Sequence, residues 1–149
     1  MGARREREAA IEPRGTPHRA TGPSLLLTSV RLEHYEAMTK YLISFPSEAM
    51  VVTEEEFPLV VADSHAVIEE AKAAGVYVFG GGIDEQVDPV LVSADGSVTP
   101  EIYVGSRLKG GFTVLELPTR EDAVEWSRKI AAACRCAQEL REFMYDPAS

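Results

Sequence analysis

The side chains most able to act on a small molecule are His65, Asp84, Tyr103 and Arg107. His65 is the only histidine beyond residue 37. It falls four residues after Val61 and three before Ile68, so on a helix it shares their face. Histidine as a residue type exchanges a proton near neutral pH, which suits a general acid or base. The plainer alternative is a half-buried imidazole bonded to a backbone carbonyl. Asp84 follows the run Gly80-Gly81-Gly82. It reaches His65 only if that loop folds back over the sheet, and otherwise it satisfies its own turn. Asp63 is closer in sequence but points to another side of the helix. Tyr103, Ser106, Arg107 and Lys109 cluster ahead of a strand. There Arg107 could hold a carboxylate and Tyr103 could donate a hydrogen bond, or all of them could be solvated hairpin residues.

Several chemistries lack their signatures. No Ser-His-Asp order, nucleophile elbow or paired-carboxylate motif is visible. The three glycines would let a ligand approach the backbone. They do not open a helix as Gly-x-Gly-x-x-Gly, so a dinucleotide or phosphate loop is not indicated.

The elements that must position these groups follow from periodicity. Lys40–Phe45 alternates as a strand, with Tyr41, Ile43 and Phe45 on one face, and Pro46 ends it. Thr53 and Glu56 have capping-box spacing, and Pro58 fits a first helical turn. The helix runs to Ala74, with Val61, Ile68 and Ala71 near its buried face, and Gly75 closes it. Val76–Gly80 is apolar on both faces, which predicts a central strand covered on both sides. After a loop at Gly80–Asp88, Pro89–Ser93 and Ser97–Val104 form a hairpin about Ala94-Asp95-Gly96. Pro100 marks an edge there. Gly110–Leu117 is the next strand. Thr119 and Asp122 open a second helix with Ala123, Ser127, Ile130 and Cys134 along one face, and Cys136–Met144 is a last strand. Without the hairpin the order is strand–helix–strand twice. That is an α+β, ferredoxin-like split βαβ plan with an inserted β-hairpin. The strands carry more apolar residues than two helices on one face can bury, so a second copy packed sheet to sheet is expected.

Composition narrows the partners. The chain has 149 residues and a net charge of −9. Residues 1–37 hold six Arg and five Glu among Pro and Gly, and read as a disordered or loosely structured N-terminal extension. Residues 38–149 form the domain and carry 9 basic and 19 acidic groups, which repel a phosphate backbone, so no nucleic-acid partner is expected. No apolar run approaches the ~20 residues of a membrane span. Cys134 and Cys136, the only cysteines, read as packed thiols in a reducing cytoplasm rather than as a disulfide or metal pair. Neither metal nor cofactor is expected.

Met38 opening a strand, AAGVYVFGGG at residues 73–82, LKGGFTVLELP at 108–118 and the helix REDAVEWSRKI at 120–130 form a recognisable series. On these features residues 38–144 resemble the YCII-related proteins, particularly the branch marked by an Asp-Gly-Pro-Phe motif. The resemblance implies a dimeric α+β barrel. Where that branch would show its signature, this chain has Thr99-Pro100-Glu101-Ile102, followed by Val104-Gly105-Ser106-Arg107. Members nearer the founding branch carry a histidine on the first helix, thought to pair with an aspartate as an acid–base dyad. His65 lies on that helix, about one residue nearer the closing glycine. The resemblance therefore implies His65 and Asp84 as the catalytic pair, in a pocket between the first helix and the sheet. The family includes a dehalogenase-type member, so elimination or hydrolysis of an aromatic or enol-like small organic ligand is one expectation. The branch is often associated with alternative sigma factors, so a non-catalytic ligand-binding or accessory role is the other.

Overall fold

The computed structural model describes residues 37–106 and 108–149. The expectations for residues 1–36, and for the Arg107 side chain, lie outside the described residues. Strand β1 (Thr39–Phe45) leads to helix α1 (Phe57–Ala73) and strand β2 (Tyr77–Gly82). A long connection contains the short strands β3 (Leu91–Val92) and β4 (Val98–Thr99). Strand β5 (Gly111–Leu117), helix α2 (Arg120–Cys134) and strand β6 (Glu139–Glu142) complete the fold. The fold is α+β. The four-stranded antiparallel sheet has the order β2-β5-β1-β6, and β3 with β4 forms a separate two-stranded hairpin. Each helix thus joins two strands that run the same way with one opposed strand between them.

Local chemistry sets the helix ends. The Glu56 carboxylate accepts from the Thr53 amide and hydroxyl at 2.9 and 3.0 Å, and the Glu56 amide donates to Thr53 Oγ1 at 3.2 Å. This reciprocal box closes the turn just before α1, and Pro58 occupies the first helical turn, where its missing N–H costs nothing. At the other end Val76 N–H donates to Ala71 O and Gly75 N–H to Lys72 O, with Gly75 left-handed at φ +73°. That six-to-one and five-to-two pair is a Schellman closure. Thr119 caps α2 by accepting from the Asp122 amide at 3.1 Å.

The helices share one sheet face. Tyr41 and Ile43 of β1 and Leu115 and Leu117 of β5 pack with Ala71 of α1 and Ala123, Ile130 and Cys134 of α2. Alternation sends Leu42, Phe112 and Val114 to the other face, which no helix of the described residues covers. Leu42 pairs with Val114, and Val114 with Phe79, so three apolar side chains form a row across β1, β5 and β2.

Three expectations need correction. Strand β2 is not central: it hydrogen-bonds to β5 alone, and Phe79 is 63% exposed. Its apolar run has another cause. Tyr77 packs toward the helices, and an irregularity at Val78 turns Phe79 onto the open face. The hairpin pairs only Leu91 with Thr99 and Val92 with Val98. Pro100 has no N–H to extend that ladder, and Pro89 closes off the other strand. The last strand begins at Glu139 rather than Cys136, because α2 ends in a left-handed Arg135 at φ 59° and the chain needs Cys136–Gln138 to turn. No helix of the described residues is long and apolar enough to cross a membrane.

Candidate functional site

Two cavities divide the expected site residues. The first, of about 710 Å³, is formed by the connection from β2 to β5. It takes in Asp84, Tyr103, Ser106 and Lys109 with Ile83 and Leu108. The second, of about 350 Å³, is a slot between α1 and the sheet. His65 lines this one, together with Val61 and Ile68, as their spacing predicts. The structure therefore brings Asp84 and Tyr103 together and separates both from His65.

The parting of His65 and Asp84 has a local cause. Ile83 N–H donates to Gly110 O at 2.9 Å, which pins the strand exit against the start of β5. Asp84 then turns outward, and its carboxylate accepts from the Gln86 amide at 3.0 Å. It is a turn aspartate of the kind that bonds its own backbone two residues on. In the same cavity Glu85 accepts from the Gly110 amide, and Lys109 pairs with Glu48 at 3.1 Å. The Glu48 carboxyl is held below its usual range, first by its own backbone amide and then by Lys109. The acidic groups here are engaged by backbone amides or, at Glu48, by Lys109, and the apolar walls, such as Leu108 at 72% exposure, stand open to water.

The slot is built differently. Its floor is Ile43 and Phe45 of β1, Gly111 and Thr113 of β5, and Gly82 of β2. Its roof is the first half of α1, where Val60 is buried and Val61, Ser64 and Val67 are half-buried. Ile130, Ala133, Cys134 and Gln138 close the rear. The buried line of α1 runs through Val60, Val67 and Ala71, so His65 sits one step round the helix, exposed at the mouth. Among the described residues no hydrogen bond engages its imidazole. Asp63, two residues before it, is held by Arg135 at 2.6 Å. The same guanidinium donates to the Ala132 and Ala133 carbonyls at 2.9 and 2.7 Å. Arg135 thus ties the end of α2 to the turn of α1 that carries His65.

Sequence reasoning missed Ser64, Gln138 and Cys134 as slot residues, and offered Gly82 only within a glycine run that could admit a ligand to the backbone. The Cys134 signal was present, since it lies on the same α2 face as Ile130, but a core thiol and a cavity thiol look alike in sequence. Cys134 is 7% exposed, and no hydrogen bond among the described residues engages its thiol. Burial, with a smaller contribution from neighbouring Cys136, raises its pKa from the ordinary 9.0 to about 11. Cys134 is therefore a neutral thiol near pH 7 and a poor nucleophile.

A stability prediction follows. Between about pH 9 and 11 the unfolded chain has lost the Cys134 proton while the folded chain keeps it. The contribution is thus fully present below pH 9 and is lost as pH rises through about 11. Urea unfolding from pH 8 to 11 should show a steeper loss of stability for the natural chain than for Cys134→Ala. Parallel curves would contradict the burial of this thiol.

No protein-family model matches the chain. Comparison with curated proteins likewise finds no match.

Proposed function

We propose that the chain is a small-ligand-binding protein and that the slot between α1 and the sheet is its site, with His65 as the polar anchor at the mouth. The observation that carries this reading is a cavity of about 350 Å³ whose inner walls are buried apolar side chains and whose rim holds an imidazole that no hydrogen bond engages among the described residues. Small-molecule sites have this make-up: mainly apolar, roughly 300–1,000 Å³, with a few polar groups that fix orientation. The other cavity is larger but lies among exposed loop residues. Acid–base catalysis by His65 on a bound ligand is the second reading. The exposed imidazole at the slot mouth favours it, and the placement of Asp84 in the other cavity counts against a carboxylate-assisted dyad.

The fold is proposed to be the ferredoxin-like split βαβ plan, as a divergent relative of the YCII-related proteins. The strand order supports this, with the hairpin inserted between the second and third sheet strands. The partner is proposed to be a second copy, packed on the open sheet face as in a dimeric α+β barrel.

The test of the slot uses 2-naphthol as probe, a molecule with an apolar body and one hydroxyl for the imidazole. His65→Ala should weaken its binding by about 0.5–1.5 kcal/mol, roughly 2- to 13-fold, through loss of one hydrogen bond. Because His65 is exposed, the melting temperature should hardly move. Unchanged affinity in His65→Ala would remove His65 from the site. A large fall in melting temperature would make it a structural residue.

A further inference from the structure

Gly82 is a glycine without a structural reason. Gly110 and Gly111 have one: a Cβ on Gly110 would collide with the Phe45 carbonyl, and one on Gly111 would lie 2.5 Å from the Phe45 ring. At Gly82 the backbone is extended β2 strand rather than left-handed. An added Cβ there would meet only Gly110 O, at 3.7 Å, which is ordinary contact. A strand glycine forgoes the packing and rigidity that any β-forming residue would bring, and such positions often mark the close approach of a ligand. In register, Gly82 stands opposite Gly111, and Gly111 opposite Phe45, so these three form one row of the slot floor. Phe45 covers Gly111, which leaves the peptide at Gly82 as the bare end of that row.

A second feature of the same slot is one that such an occupant would meet. The Cys134 side chain at the rear is buried, and its thiol has no hydrogen-bond partner among the described residues. A ligand that enters past Gly82 would have an apolar floor, the α1 roof and a soft, polarisable thiol ahead of it.

We propose that Gly82 is the specificity-determining position of the slot, and that the ligand class is a flat molecule of one or two rings whose edge lies over the β2 peptide. This rests on the reading of the slot as the ligand site. A planar ring can lie flat against the bare backbone at Gly82, whereas a globular apolar group of similar volume would touch it over less area. The size agrees, since about 350 Å³ is near the lower end of small-molecule sites. Any side chain at position 82 would occupy the space that the ring edge takes.

Calorimetric titration of the full chain with 2-naphthol and with 1-adamantanol tests this, on the natural protein and on Gly82→Ala and Gly82→Val. The flat probe should bind at least about tenfold more tightly than the globular one. Gly82→Val should lose about tenfold or more in 2-naphthol affinity, Gly82→Ala less, and both should melt no lower than the natural chain, because each residue suits a strand as well as glycine or better. Equal affinity for the two probes would overturn the proposed ligand class. Natural affinity in Gly82→Val would overturn the role of Gly82. Either result, with 2-naphthol still bound and still sensitive to His65→Ala, would leave the slot as the site. If neither probe binds the natural chain, the slot reading fails and this inference fails with it.

Discussion

Gly110→Ala should leave little folded protein. Gly110 has φ +85°, a left-handed conformation in which a side chain is strained. The larger obstacle is contact. A Cβ would lie 2.1 Å from Phe45 O, 2.7 Å from Ser47 N and 2.9 Å from Pro46 C. All three are backbone atoms at the end of β1, so no side chain can rotate away. The same residue joins the loop to the sheet: its carbonyl accepts from Ile83 and its amide donates to Glu85. Relief would have to displace β5 from β1, its central partner. We expect a loss of at least about 4 kcal/mol, in the range where a domain of ordinary stability largely unfolds. Gly96→Ala is the control. Gly96 is also left-handed, at φ +84°, but nothing lies within 4 Å of its missing Cβ. Its cost should be about 1–2 kcal/mol, from the backbone conformation alone. Urea midpoints compare the two, and equal midpoints would contradict the close seating of Gly110 on β1.

Phe79→Asp should convert a dimer into a monomer. Phe79 is 63% exposed on an edge strand, beside Val114 and in the row that continues to Leu42. On the same face, Phe143 follows β6, its amide donating to Lys40 O, and is 45% exposed. Phe79, Val114, Phe112 and Leu42 form an apolar patch over three strands, bordered by Arg141 of β6 beyond Leu42, and such patches mark association surfaces. In the proposed sheet-to-sheet dimer a twofold axis makes every substitution act twice. Each substituted chain would place an unpaired carboxylate in an apolar interface, at a cost of about 3–5 kcal/mol by the behaviour of broken buried ion pairs. The monomer should keep its stability, since the phenylalanine it loses is mostly in water. Light scattering at micromolar concentration should give twice the chain mass for the natural protein and one chain mass for the variant. A natural monomer, or a variant that stays dimeric, would remove the sheet face as the interface.

Much of this fold was legible in the sequence because its signals are local. Thr53 and Glu56, Pro58 and Gly75 mark the limits of α1 through bonds spanning a few residues. Thr119 and Asp122 do the same for α2. What was not legible depends on partners far along the chain. Val76–Gly80 reads as central because apolar residues fall on both sides, yet whether a strand lies at an edge is decided by its pairing, not by its composition. The hairpin reads long because Val-rich flanks surround Asp95-Gly96, while the prolines at 89 and 100 limit the ladder. For the site, helical spacing placed His65 with Val61 and Ile68, and all three line the slot. The link from His65 to Asp84 required a loop to fold back, and the bond from Ile83 to Gly110 directs it away. Gly82 was read as part of a glycine run. Only the positions of Phe45 and Gly110 in space distinguish a glycine required by packing from one that leaves open space.

The measurement that bears most directly on the site is a two-dimensional NMR titration of the full chain with 2-naphthol, following backbone amides and the histidine ring. Binding in the slot should shift the His65 imidazole, Ser64, Gly82 and Cys134 together, with one common dissociation constant. Shifts confined to Asp84, Tyr103 and Leu108 would place the ligand in the loop cavity instead, and would contradict the assignment of the slot between α1 and the sheet as the binding site.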